Sequence, residues 1–271
     1  MHKKKSPQGD ILFPRQHYLP WSKGFKDNIS AASLIIIIVA IWHFVTTRGI
    51  VGPYLLPKPF DVIKAFVTDF STISSHLGTT LTEAFLGLFV GVSIGFIAAL
   101  LMDLSDIIYS ALYPILVLTQ TVPTVAIAPL LVLWMGYGIA PKITLIVIVT
   151  FFPVAVSLLE AFKEVDQDKV KLLKAMGAGK AEIYRYIKLP ESLGNFFSAF
   201  KIAVSYSVVG AVIAEWLGGY KGLGVYMIRV QKNYSFDKMF AVIFLISAIS
   251  LILMKLVGFI QKKMMPWTEE K

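Results

Sequence analysis

Long apolar runs separated by short polar ones dominate the chain. A bilayer crossing needs about 20 mostly apolar residues. Six stretches approach that length: residues about 30–47, 81–102, 107–135, 142–159, 196–217 and 238–260. The first, "SAASLIIIIVAIWHFVTT", is short for a span and puts Trp42 and His43 near an interface. Before the second comes "LPKPFDVIKAFVTDF", residues 56–70, with apolar positions at helical spacing beside Asp61, Lys64 and Asp69. That pattern predicts an amphipathic helix on the membrane surface or packed on the bundle. The second stretch carries Gly87, Gly91 and Gly95, four apart, which lets helices approach closely. Asp103 and Asp106 mark a polar turn. The third stretch is too long for one span, and "QTVPTVAIAP" predicts a break there, because Pro123 and Pro129 remove backbone donors. The fourth contains Pro153, and a charged, helical-looking insert, residues 163–193, follows it. After the fifth, Gly218, Gly219, Gly222 and Gly224 predict a tight re-entrant loop. The expected fold is all-α, a polytopic membrane protein of about six transmembrane helices.

Composition sharpens this reading. Of 271 residues, 56% are hydrophobic and 16% charged, whereas charged residues make up roughly a quarter of a soluble domain. The net charge of +9 is expected to reflect Lys and Arg in cytoplasmic loops rather than nucleic-acid binding. With the N-terminus inside, the basic segment 1–28, the insert and the tail 266–271 are cytoplasmic, flanking a membrane domain at 29–265. The opposite side then carries Arg48, Lys58, Lys64, Lys142, Lys221, Arg229, Lys232 and Lys238. The N-terminal segment has no continuous apolar run and does not read as a cleavable signal. There is no Cys, and the four His are far apart, so no thiolate or histidine metal site is expected. No nucleophile–base constellation stands out, which argues against an intramembrane enzyme.

Several polar residues sit in apolar surroundings. Gln120, Thr121 and Thr124 surround the break at Pro123, where they either line a polar path or satisfy freed backbone groups; the break favours the path. Ser205, Tyr206 and Ser207 either face that path or bond across helices. Glu215, beside Trp216, is either interfacial or a pathway or gate residue, and Glu83 is expected at an interface.

Within the insert, "GAGK" has the wrong spacing for a phosphate loop: no Gly lies five positions before Gly179, and Ala181 stands where a Ser or Thr would hold magnesium. Gly177 is followed ten positions on by Ile187, then Leu189 and Pro190. This order resembles the EAA motif of permease subunits of ATP-binding-cassette importers, with Lys171, Leu172 and Leu173 in place of its Glu-Ala-Ala head. "LLPKPFDVIKAF", "PTVAIAPLLVLWMGYG", "FKIAVSYSVVGAVIAEWLGG" and "GLGVYMIRVQ" resemble segments of the nitrate/sulfonate/taurine branch of these permeases. Residues 201–244 look most like the subgroup linked to thiamine-precursor pyrimidine uptake.

The resemblance implies an importer-permease (MetI-like) core working as a homodimer in the cell membrane. Two ATPase subunits would bind ATP and magnesium, and this chain neither cofactor. An external binding (lipo)protein would deliver a small polar or anionic solute. It further implies that the insert is a coupling helix. Ala175, Met176, Ala178 and Ile183 would form its apolar docking surface, and Lys180, Glu182 and Arg185 the polar rim. Gly177 and Gly179 would allow a tight turn, and Pro190 would stop the helix. A self-contained secondary transporter or channel is the alternative, though neither inverted repeats nor buried ion-coupling charges are evident.

Overall fold

The computed structural model describes residues 25–52 and 54–266, with side chains from residue 33. The basic segment before residue 25 and the tail after 266, with the boundaries expected there, lie outside the described residues. The order is α1 (Phe25–Thr47), α2 (Pro59–Thr68), α3 (Phe70–Leu104), α4 (Asp106–Thr121), α5 (Thr124–Met135), α6 (Ile139–Glu164), α7 (Gln167–Ala175) and α8 (Lys180–Ile183). A π-helical turn (Tyr184–Lys188), α9 (Leu189–Gly218), α10 (Leu223–Lys232) and α11 (Phe236–Met264) complete it. Four continuous helices are long and apolar enough to cross a membrane, and α4 with α5 forms a fifth, bent by 103°. Within α1, Ser33–Thr47 forms a shorter apolar helix.

Helix α3 starts eleven residues earlier than its hydropathy predicts, through "FSTISSHLGTT". Hydroxyls of this stretch find partners both inside and outside the helix: Ser74 donates to Ser71 O at 2.9 Å, and Thr80 to Glu215 of α9 at 2.7 Å. A polar sequence therefore adds about three turns beyond the apolar span.

The core is α3 against α6 against α9. A Cβ on Gly87 would lie 2.5 Å from Ile146 of α6, and one on Gly95 2.6 Å from the Phe151 carbonyl. The glycine stripe thus sets the α3–α6 separation, as its spacing predicts. Val154, Leu158, Leu159 and Phe162 of α6 fill the centre with Phe197 and Ala203 of α9. Helix α1 lies to one side, with Leu34 to Ile38 exposed. Trp42 anchors it, stacking 5.7 Å from Phe244 and donating to Pro57 O at 2.9 Å.

The prolines act differently at each position. Pro123 caps α5 in extended conformation and marks the break, whereas Pro129 and Pro153 stay inside α5 and α6. Pro190 does not stop the helix as expected; it lies in the first turn of α9, and Lys180–Gly218 run as one 39-residue helix. The π turn explains this. Leu189 N donates to Tyr184 O, five residues back, and the widened turn accommodates a ring that would clash in a regular α-helix.

Candidate coupling elbow and solute cleft

The charged insert folds as an elbow. Asp166 caps α7 by accepting from Asp168 N at 2.9 Å. At the other end Gly177 takes φ +89°. Ala178 N donates to Leu173 O and Gly177 N to Lys174 O, both at 3.0 Å. These paired bonds close a helix end through a left-handed residue that strongly favours glycine. The Glu182 carboxylate then accepts from Gly179 N as the next helix begins.

Ala175, Met176, Gly177, Gly179, Lys180 and Glu182 are exposed, and Ala178 is half-buried. Ile183 and Ile187 instead turn inward and pack with Val165 and Val170, so they hold the elbow together and leave the docking set. Leu189 and Pro190 are half-buried at its base. The exposed apolar tip is Met176 with Leu172, 77% and 62% exposed. Leu172, read from the sequence only as a departure from the motif head, belongs to that tip.

A cleft of about 230 Å³ opens between the α4–α5 break, α6 and α9. Thr119, Gln120 and Thr124 line it from the break, and Tyr206 and Gly210 from α9. Gln120, Thr124 and Tyr206 therefore meet in one cavity. Pro123 and Thr121 shape the break without lining it, and the Thr121 hydroxyl bonds back to Leu118 O at 2.8 Å. Ser205 is half-buried and does not line the cleft, and Trp216 is exposed further along α9. Ser207 is buried and donates to Val204 O at 2.8 Å, within its own helix.

Glu215 is neither interfacial nor in the cleft. It is 1% exposed, accepting from Thr80 Oγ1 at 2.7 Å and from Gly224 N at 2.6 Å. Thr80 also accepts from Leu223 N at 2.8 Å, and His76 Nδ1 accepts from Gly222 N at 3.0 Å. Next to it, Glu83 pairs with Lys142 at 2.6 Å, both buried. This clasp fastens the glycine-rich turn and α10 to α3, α6 and α9. The sequence puts Lys142 on the outer side at the start of a span and Glu83 at an interface; the structure instead buries both side chains against each other. The missed signal is a spacing: His76, Thr80 and Glu83 recur at helical intervals and run directly into the Gly87–Gly91–Gly95 stripe. Asp103, read as a turn residue, is likewise 6% exposed and paired with Lys188 at 2.5 Å.

Outside the spans, Asp69 accepts from Tyr226 at 2.8 Å and pairs with Lys238 at 2.7 Å. The Lys238 hydrogen bond holds the Asp69 carboxyl below its ordinary range.

Comparison with known proteins places these features. The profile described as "binding-protein-dependent transport system inner membrane component" matches residues 91–266. A probable ABC transporter permease protein of Haemophilus influenzae is 38% identical, over 80% of this chain and 89% of its own. The formylaminopyrimidine transport permease protein of Halalkalibacterium halodurans is 32% identical, over 87% and 94%. The taurine transport permease of Escherichia coli is 29% identical, over 92% and 93%. Among solved structures, an inward-facing methionine ABC transporter chain superposes with TM-score 0.61 at 21% identity, over 73% of this chain and 96% of that one.

Proposed function

Because the chain belongs to the family of inner membrane components of binding-protein-dependent transport systems, and so is an ABC importer permease, we propose how its parts divide the work. Two copies enclose the pathway. Each elbow docks on an ATPase subunit that binds ATP and magnesium, and an external binding protein delivers the solute at the clasp end. This chain itself hydrolyses nothing.

One observation carries the reading: Lys180–Gly218 is a single helix, about 58 Å long at 1.5 Å per residue. It begins in the elbow, lines the cleft through Tyr206 and Gly210, and ends in the Glu215 clasp. A displacement of the elbow tip by the ATPase is thereby delivered to the pathway and to the far end. The distribution of basic residues supports an orientation with the elbow inside. Lys163, Lys169, Lys171, Lys174, Lys180, Arg185 and Lys188 gather there, while Lys142 is buried and drops out of the outer-loop count.

The solute is a small neutral heteroaromatic of the aminopyrimidine kind. Among the described residues no charged side chain lines the cleft, which offers an amide, two hydroxyls and the Tyr206 phenol. Such a wall suits a planar hydrogen-bonding ring better than a sulfonate, which calls for Arg or Lys. The test is uptake into proteoliposomes holding the assembled transporter, with labelled formylaminopyrimidine and taurine compared. ATP-dependent pyrimidine uptake is expected, and no hydrolysis by the purified chain alone. Uptake without ATPase subunits would refute the importer reading, and preferred taurine uptake would refute the substrate reading.

A further inference from the structure

Behind the elbow, on the side facing the bundle, lies a second polar cavity of about 240 Å³. It is walled by the end of α3, by α7 and by the α8–π segment. Its charged lining is uneven: Lys174, Lys180 and Lys188 face one carboxylate, Asp103. Asp103 is already satisfied, by Lys188 at 2.5 Å and by the Tyr184 hydroxyl. Lys174 and Lys180, by contrast, have no ion-pair partner among the described residues. Their neighbours on the outer face differ: Lys169 pairs with Glu191 at 2.6 Å and Lys171 with Asp168 at 3.0 Å.

We propose that this cavity binds a phosphate group, supplied either by an anionic lipid headgroup or by free phosphate. Two exposed lysines without an ion-pair partner among the described residues line a cavity large enough for a phosphate and its first waters, and a phosphate offers acceptor oxygens to both. The cavity sits where the apolar part of α3 ends, which is headgroup depth for a helix leaving the bilayer. At the same end of α6 that leads into the elbow, Lys163 caps the Tyr109 ring at 3.6 Å, a pair of residue types that gathers at membrane interfaces. The two lysines stand on opposite arms of the elbow, one before Gly177 and one after Gly179. A bound phosphate therefore ties α7 to α8 and stiffens the turn that meets the partner. This inference stands on the cavity alone and does not require the importer reading.

The test uses the purified full chain in a neutral detergent, and reads the apparent melting temperature. Short-chain phosphatidylglycerol, short-chain phosphatidylcholine and inorganic phosphate are added in parallel. Phosphatidylglycerol is expected to raise the midpoint by about 3–6 °C at saturation, with phosphatidylcholine nearly inert. The Lys174→Ala/Lys180→Ala double variant is expected to bind at least ten-fold more weakly, while Lys169→Ala/Lys171→Ala, removing the same charge from paired positions, keeps the response. A response to millimolar phosphate that equals the lipid response assigns free phosphate as the source; a response to lipid alone assigns the headgroup. Equal behaviour of the two double variants, or no response to either phosphate source, overturns the proposal. Absence of any response together with lost ATPase association in Lys174→Ala/Lys180→Ala overturns it in favour of an acidic side chain on the partner.

Discussion

Gly222→Ala is the substitution that most directly tests the clasp. Gly222 has φ +135°, and a Cβ built there falls inside the Glu215 carboxylate. Two costs follow. An L-residue in that backbone region is strained by about 1–3 kcal/mol. Displacing Glu215 also leaves Gly224 N or Thr80 without its buried acceptor, at about 1–3 kcal/mol per group. Together they amount to about 2–6 kcal/mol, or, at about 2 °C per kcal/mol for a chain of this size, a fall of about 4–12 °C in melting temperature. Gly177→Ala separates the two contributions, because Gly177 has φ +89° but nothing within 4 Å of the added Cβ, so only about 1–2 kcal/mol of backbone strain is expected. A Glu215→Ala/Gly222→Ala double variant adds a coupling check: once the carboxylate is gone the overlap is relieved, so the combined loss should be smaller than the sum of the single losses. Apparent melting temperatures at one scan rate, in one detergent, are read for the parent chain, for Gly222→Ala, Gly177→Ala and Glu215→Ala, and for the double variant. The clasp reading fails if Gly222→Ala melts no lower than Gly177→Ala, or if the two losses in the double variant simply add.

Other expectations follow from the same geometry. Gly177→Val should strain the elbow by about 1–3 kcal/mol and lower ATPase association or uncouple hydrolysis from uptake in proteoliposomes. Lys169→Ala, which removes a largely exposed pair with Glu191, should leave both the melting temperature and uptake nearly unchanged. Lys142→Met strands the buried Glu83 carboxylate and should destabilise by about 3–5 kcal/mol, with Glu83→Leu/Lys142→Met recovering most of the loss in the same melts. Asp69 has a folded-state pKa below its unfolded value, through Lys238 and Tyr226. Its stabilisation is complete above the unfolded pKa of about 3.9 and is lost as pH falls through the lower folded value. Asp69→Asn should therefore lower stability near neutrality and flatten its decline below about pH 4, read as melting temperature against pH.

Hydropathy, proline placement and glycine spacing along the chain determine a good deal by themselves. Apolar runs of bilayer length yield the helical membrane fold, since lipid leaves the backbone few other ways to satisfy its polar groups. Gly87, Gly91 and Gly95 at four-residue spacing foretell the close α3–α6 contact, and Pro123 foretells the broken helix, because both are local consequences of a missing side chain or a missing donor. Gly177 is legible for the same reason: a left-handed helix cap is a short-range requirement. Tertiary structure alone decides where the charges go. Glu215, Lys142 and Asp103 carry no local mark of being buried, and Glu83 only its helical register with the glycine stripe; the partners of these groups lie 135, 59 and 85 residues away in the chain. A carboxylate in an apolar helix reads equally well as interfacial, pore-lining or structural until the group that satisfies it is known. The continuation of the helix through Pro190 is hidden for a related reason: a proline normally ends a helix, and only the π turn, held between the packed elbow and α9, removes the clash that would have ended this one.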